Sequence, residues 1–206
     1  MKKHHLGAAL LSGALVTTLA AGTLLSAPAG ASSKSSALFK VKELVNSSTY
    51  VKKLNQTVVV PTGKFVGTIN TNTGALRGKL TLPPATSPVK LEGIGVAQAT
   101  FVMAPTKPVT GRVNFKKFTI TSHSTFNIDV TSLTPNGTSV NLVGNQCQTA
   151  TPVTLTLTGP FQAIGSSTYT ATYTIPPFAN CLAMTPLLTE QVSGPDNSIT
   201  ATFAPA

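Results

Sequence analysis

Residues 65–82 read FVGTINTNTGALRGKLTL and contain two short runs of alternating character on either side of a polar centre. Alternation with a period of two is typical of a β-strand that buries one face. The positions on the buried face are predicted to be Phe65, Gly67, Ile69, Leu76, Gly78 and Leu80. Residues 70–74, between the two runs, contain the Asn and Gly that favour turns. The stretch therefore predicts an antiparallel β-hairpin.

The same alternation recurs along most of the chain, where Thr and Val supply much of the strand material. The clearest further inward rows are Ala97, Ala99, Phe101 and Met103; Phe126, Ile128 and Val130; Val153, Leu155 and Leu157; Tyr169, Ala171, Tyr173 and Ile175; and Ile199, Ala201 and Phe203. The phase of the alternation shifts at Lys116 and Lys117, which predicts a bulge or a tight turn there.

One short helix is predicted, with Thr185 as its N-cap, Pro186 at its first helical position and Gly194-Pro195 as its stop. Parallel sheets need helical crossovers between their strands. Because only one helix is predicted, we expect an all-β fold, an antiparallel β-sandwich or barrel of about ten strands with one short C-terminal helix.

The N-terminal residues have the pattern of a secretory signal. Lys2 and Lys3 precede an apolar run at residues 6–25, and small residues follow up to Ala31. A retained membrane anchor is the alternative, because the run approaches the roughly 20 apolar residues that span a bilayer. Gly, Ser and Thr interrupt the run, so we expect a cleaved signal peptide at 1–31 and a single all-β domain at 32–206. With no later apolar stretch to form a transmembrane segment, the protein is expected to be secreted, extracellular or loosely associated with the cell wall.

The exported chain has two cysteines, Cys147 and Cys181. An oxidising location makes a disulfide between them the expectation, and a pair of free thiols is the alternative. The bridge would link a strand ending near Leu142 to the loop after Phe178. Its role is expected to be structural, because neither cysteine is part of a C-x-x-C redox motif.

Charge is divided unevenly along the exported chain. Residues 32–117 hold thirteen Lys or Arg against two acids, a net charge of +11, whereas residues 118–206 hold no Lys or Arg and three acids. Several cations alternate with inward-facing residues, so they should project outward together. The predicted basic surface comprises Lys40, Lys42, Arg77, Lys79, Lys116 and Lys117.

Two interpretations of these cations stay open. Lysine is a common means of solubility and of protecting strand edges. Alternatively, a basic surface can bind an anionic cell-wall polymer or anionic lipid. Nucleic acid is not an expected partner, because the protein is exported and its aromatic residues do not interleave with the basic ones.

No catalytic, metal or cofactor signature is found. His123 is the one histidine of the exported chain, and no nucleophile-elbow motif accompanies it. The carboxylates Glu43, Glu92, Asp129, Glu190 and Asp196 are widely separated, whereas a glycosidase needs two facing a cleft. Zinc and calcium sites lack ligands. We therefore expect a protein that is not an enzyme and has no cofactor, with a hydrolase built on His123 as the least favoured alternative.

Two segments carry a resemblance. Residues 74–84, GALRGKLTLPP, and residues 173–181, YTIPPFANC, resemble small exported β-rich proteins of Gram-positive actinobacteria, most of them uncharacterised. That resemblance implies no active residues. The early hairpin alone is also similar to lipid-binding barrels of the YceI type, which implies an apolar ligand inside the fold.

Two non-enzymatic functions follow as hypotheses. The first is binding of anionic envelope polymers through the basic N-terminal half, and the second is a small β-barrel that carries an apolar ligand. An internal cavity lined by both halves of the chain would favour the carrier, and a filled core would favour the surface binder.

Overall fold

The computed structural model describes residues 37–206, so the predicted signal peptide at 1–31 lies outside the described residues. The strands are β1 (Leu38–Val51), β2 (Gln56–Asn70), β3 (Ala75–Thr81), β4 (Ala85–Leu91), β5 (Gly95–Pro105), β6 (Val109–Asn114), β7 (Thr119–Pro135), β8 (Gln148–Thr149), β9 (Val153–Pro160), β10 (Ser167–Ile175), β11 (Phe178–Ala179) and β12 (Gly194–Pro205). A 3₁₀ turn (Leu182–Met184) leads into α1 (Thr185–Gln191).

All strands belong to one antiparallel sheet of 12 strands, whose main path is β10-β12-β1-β2-β3-β6-β7-β5-β4. The 17-residue strand β7 is shared by two regions: its first half pairs with β6 and β9, and its second half pairs with β5 and β8. Strands β9 and β10 contact each other without a ladder, so the sheet does not close. The prediction of an antiparallel all-β fold with one short helix is confirmed.

The β2–β3 hairpin forms where the alternation of residues 65–82 predicts it. Phe65 pairs with Leu80, and Ile69 pairs with Leu76. In the turn, the Asn70 side-chain oxygen accepts hydrogen bonds from the amides of Asn72 and Thr73, both at 3.0 Å. Gly74 has φ +75°, a conformation that glycine adopts without a steric cost. The turn therefore follows from the residues predicted to form it.

The predicted turn at Lys116 and Lys117 is also present, between β6 and β7. The Asn114 side-chain oxygen accepts hydrogen bonds from the amides of Lys116 and Lys117, both at 3.1 Å. Phe118 closes the turn with φ +51°, in the left-handed region. The change of phase in the sequence is therefore a tight turn rather than a bulge inside a strand.

Cys147 and Cys181 form the predicted disulfide. The expectation that a strand runs to Leu142 is wrong, because β7 ends at Pro135 and no strand begins until Gln148. In place of a strand, the Asn141 side chain forms hydrogen bonds with the backbone of β7. Its oxygen accepts a hydrogen bond from the Leu133 amide at 2.9 Å, and its amide donates to the Thr131 carbonyl at 3.2 Å. A side chain thus satisfies backbone groups that a strand would otherwise pair.

Helix α1 has Pro186 in its first turn, but its N-cap is Met184, one residue before the predicted Thr185. It ends at Gln191, and Gly194 begins the last strand. Leu188 is its buried residue, while Leu187 and Val192 pack partly buried against the core. The Thr189 hydroxyl accepts a hydrogen bond from the Phe178 amide at 3.0 Å, which fixes the helix to β11. The helix therefore covers one end of the core, as its apolar positions indicate.

Candidate functional site

The outer surface of β1, β2, β3 and β6 carries a group of cations, which we call the basic face. Ladder registers place its members on the solvent side because the residues that alternate with them are turned inward. All of them are exposed. The basic face consists of Lys40, Lys42, Lys64, Arg77, Lys79 and Arg112.

The registers also give the spacing of the basic face. Lys42 lies opposite Val66, which lies opposite Lys79. Two residues further along each strand, Thr68 separates Lys40 from Arg77 in the same way. Two strand spacings correspond to about 9.5 Å between the Cα atoms of each cation pair. Four of the six cations predicted from the sequence are therefore neighbours on one surface.

The other two predicted cations, Lys116 and Lys117, lie in the β6–β7 turn and not on the strands. They follow Arg112 at the end of β6, so they extend the charge toward that end of the sheet. Lys64 and Arg112 were not part of the predicted surface. The alternation that identifies Arg77 also identifies Lys64, which directly precedes the inward Phe65, whereas Arg112 needs the β3–β6 pairing that no local pattern reveals.

Acidic side chains are absent from the basic face within the described residues. Glu43 belongs to β1 but is turned inward, where it lines a cavity. Glu92 is in the exposed turn between β4 and β5, and Asp129 is in the second half of β7. The positive potential of the face is therefore not neutralised by carboxylates on the same surface.

Behind the basic face lies a cavity of about 90 Å³, which we call the first cavity. Residues from both halves of the chain line it, among them Phe65, Leu76, Leu157 and Phe203. This volume is several times that needed for one water molecule but below the roughly 300 Å³ at which ligand pockets usually begin. The first cavity therefore leaves part of the core unfilled, but it is smaller than a usual ligand pocket.

Two ionisable side chains, Glu43 and Tyr169, line the first cavity. Burial raises the pKa of the Glu43 carboxyl. Burial also raises the pKa of Tyr169, a hydrogen bond with Ser167 opposes that change, and the nearby Glu43 adds to it. The Tyr169 hydroxyl donates to the Pro160 carbonyl at 2.9 Å. The lining is mostly apolar, but besides these groups it also includes Lys107, Gln162 and several Ser and Thr side chains.

A second cavity, of about 80 Å³, lies in the other part of the core and is lined by apolar residues such as Phe101, Ile128 and Leu188. Tyr173 lines it too, and its hydroxyl lies 2.6 Å from the Thr49 hydroxyl. Burial raises the pKa of Tyr173, and the hydrogen bond with Thr49 opposes that rise. Because its hydroxyl group is hydrogen-bonded, Tyr173 contributes its aromatic ring to the apolar wall of the second cavity.

His123 is exposed on the outer surface of β7, within the strand. Its Nδ1 lies 2.9 Å from the Thr156 hydroxyl on β9. Asp129 is six residues along the same strand, about 20 Å away at 3.3 Å per residue. The arrangement therefore provides His123 with a threonine but with no carboxylate to orient it as a general base.

Within residues 37–206, no three His, Cys, Asp or Glu side chains come together as candidate metal ligands. None of the helices in that range has the length and apolar character required to cross a membrane.

The fold and these surfaces define an all-β, disulfide-bonded protein with a basic sheet face and two small apolar cavities. Compared with family models, curated proteins and solved structures, the chain matches none.

Proposed function

We propose that the protein is an extracellular, non-enzymatic binding protein whose basic face holds an anionic envelope polymer or an anionic lipid surface. The observation that carries the proposal is the grouping of six cations on four adjacent strands with no carboxylate among them. Glu43 and several serines line the first cavity, but His123, the one histidine of the described residues, lines neither cavity, so no hydrolase is proposed.

Edge protection accounts for only part of this grouping. Lysines that protect a sheet from edge-to-edge pairing lie on edge strands. Strand β1 pairs with β12 and β2, β2 with β1 and β3, and β3 with β2 and β6. Lys64, Arg77 and Arg112 therefore stand where their strands are paired on both sides. Lys40 and Lys42 precede the β1–β12 ladder, and Lys79 lies beyond the β3–β6 ladder, so edge protection applies to these three lysines. Solubility, with edge protection at those three lysines, is the explanation that competes with binding.

The energetics favour a measurable affinity. Each Lys or Arg near an anionic leaflet contributes about 1 kcal/mol, and the attraction decays within a Debye length of about 10 Å at 0.1 M salt. Cations spaced at about 9.5 Å can act on one surface together, whereas cations dispersed around the molecule cannot. Binding is therefore expected to depend strongly on salt.

The test is retention of the purified protein on immobilised polyphosphate at low and high salt. Changing Lys40, Lys42, Arg77 and Lys79 to Gln should lower the affinity at low salt by up to several hundredfold, at about fivefold per cation. The matched control changes Thr168, Thr170, Thr200 and Thr202 to Gln on the outer surface of β10 and β12, and it should bind like the parent. Equal retention at both salt concentrations, or no retention of the parent at low salt, would sink the proposal.

A second candidate, carriage of a small apolar ligand, is favoured by the first cavity, because residues from both halves of the chain line it. Its volume requires that the cavity widen for any ligand larger than a short chain or a single ring. This candidate therefore ranks below binding through the basic face.

The apolar probe N-phenyl-1-naphthylamine tests this candidate. Ala201 is buried and lines the cavity, so Ala201→Leu should fill part of the space and abolish saturable binding of the probe. A matched Leu182→Ser variant, altered at an exposed site, should bind the probe like the parent. Absence of binding by the parent, or binding unaffected by Ala201→Leu, would contradict carriage.

A further inference from the structure

We propose that one end of the sheet docks on the surface of an anionic lipid bilayer, with exposed apolar side chains entering the interface and adjacent cations meeting lipid headgroups. This inference rests on the proposed function and selects the lipid surface as the partner.

Four segments meet at this end. Strand β1 begins at Leu38, which pairs with Asn70 at the end of β2. The β2–β3 turn contacts β6, because the Val113 amide donates to the Gly74 carbonyl at 2.8 Å. The β6–β7 turn contacts the β9–β10 loop, because the Phe161 amide of that loop donates a hydrogen bond to the Phe118 carbonyl at 2.8 Å. Their large exposed apolar residues, which we call the apolar tip, are Leu38, Phe39, Phe115, Phe118 and Ile164.

Phe118 is, with Leu182, one of two exposed bulky residues among those described that packing and backbone preference do not explain. Its side chain is 68% exposed, so it contributes little to the core. Its φ of +51° is a conformation that bulky residues avoid and that Asn or Gly accepts. Leu182 combines the same exposure with φ +54°, so the conformation indicates a role outside the fold for Phe118 only together with the cations and exposed apolar residues around it. Ile164, 91% exposed at the tip of the neighbouring loop, adds a second such side chain.

The charge around the apolar tip is positive. Residues 38–40, 112–118 and 161–166 contain Lys40, Arg112, Lys116 and Lys117 and no Asp or Glu. Lys40 and Arg112 also belong to the basic face, so the tip and the face are continuous. Exposed apolar groups surrounded by cations are complementary to an anionic leaflet, where burial of apolar area and attraction to headgroups act together.

An apolar connection leads from the tip into the protein. The Phe115 ring packs edge-to-face on the Phe161 ring with centroids 6.1 Å apart. Phe161 in turn lines the first cavity. A soluble polyanion would use the cations alone and would leave Phe118 and Ile164 in water, whereas a bilayer accommodates both kinds of group. The observations therefore favour a bilayer over a polymer.

The test compares binding to two probes, vesicles of equal parts phosphatidylglycerol and phosphatidylcholine, and soluble polyphosphate. The tip variant is Phe118→Asn with Ile164→Ser. It should bind the vesicles about a hundredfold more weakly, at about tenfold per side chain, and should bind polyphosphate like the parent. Because Asn tolerates the left-handed conformation, the thermal midpoint of Phe118→Asn alone should not fall, which separates docking from misfolding.

The control is Leu182→Ser, which removes a side chain that is also 68% exposed but follows β11, beyond the opposite end of β10. It should bind vesicles like the parent. Vesicle binding by the tip variant equal to that of the parent would overturn the docking inference and leave the proposed function standing, provided that the parent binds polyphosphate. A parent that sediments as a dimer, with a monomeric tip variant, would overturn it as well, because the tip would then join two copies. Failure of the parent to bind either probe at low salt would remove the proposed function itself.

Discussion

Burial changes the protonation of two carboxyl groups, Glu43 and Asp129, by raising the pKa of each, and we predict a pH dependence from Glu43. Burial raises its pKa in the folded protein. Between the ordinary pKa and the raised one, the folded state binds more protons than the unfolded state, so stability falls as the pH rises through that window. At neutral pH the ionised group therefore destabilises the fold.

Glu43→Gln should accordingly raise the thermal midpoint at pH 7 and leave it unchanged at pH 3, where the native carboxyl is protonated. Thermal denaturation followed by circular dichroism measures both values. Glu92→Gln, in the exposed β4–β5 turn, is the control and should change neither midpoint. A Gln variant at position 43 that is less stable at pH 7 would mean that the carboxylate has a favourable partner in the fold.

Residue-level prediction succeeded where a side chain determines its own backbone. Asn70 and Gly74 form the predicted hairpin turn through hydrogen bonds to neighbouring amides and a positive φ. No sequence rule predicts the left-handed backbone of Phe118 or Leu182, because such rules assign that conformation to Gly, Asn or Asp. The buried setting of Glu43 was also missed, because its neighbours come from strands distant in the sequence.

At the level of elements, the β2–β3 hairpin depends on a pair of facing glycines. Gly67 pairs with Gly78, and a Cβ at position 78 would lie 2.4 Å from the Phe65 ring. The ring thus occupies the space that a side chain would need. Gly78→Ala should therefore destabilise the protein by about 1–3 kcal/mol through overpacking.

Urea denaturation of Gly78→Ala measures that change in the free energy of unfolding. Gly93→Ala is a matched comparison, since a Cβ there would meet nothing within 4 Å and the cost would come only from φ +79°. If Gly78→Ala were as stable as the parent, Phe65 would have to move freely, contrary to its burial in the core.

The disulfide joins the segment before β8 to the segment after β11, two elements that also pair with each other. With a sequence separation of 34, its loss should cost roughly 3–4 kcal/mol in the chain-entropy account. Changing both Cys147 and Cys181 to Ser and measuring the free energy of unfolding in urea tests this value. Thiol labelling of the denatured, unreduced parent should find no free thiol, and two labelled cysteines would refute the bond.

The prediction of strand lengths and partners was limited, because one long strand can pair with strands of two different regions. Period-two alternation located most strands, because each buries one face. It could not show that β7 runs for 17 residues and serves two regions, since partners are chosen by long-range packing. The loop after Pro135 was misjudged for a related reason, because the Asn141 side chain provides hydrogen bonds that a strand was expected to provide.

At the scale of the whole molecule, the cations of the basic face and the paired threonines lie on different strands of the sheet's outer surface. The basic face covers β1, β2, β3 and β6, while the outer surface of β10 and β12 carries threonines that pair with each other, Thr168 with Thr202 at 2.8 Å and Thr170 with Thr200 at 3.3 Å. The all-β class and the outward direction of the cations were predictable, because both follow from alternation. The cavities were not, because they depend on how side chains from many strands fill one interior.

The grouping of the cations is the central claim, and protection of individual lysines from acetylation tests it most directly. The purified protein is acetylated with and without saturating polyphosphate at low salt, and each lysine is quantified by mass spectrometry. Lys40, Lys42, Lys64 and Lys79 of the basic face should be protected. Lys52 in the β1–β2 turn and Lys90 on β4, both exposed, should react as before. Uniform protection of all six lysines, or stronger protection of Lys52 and Lys90, would contradict binding through the basic face.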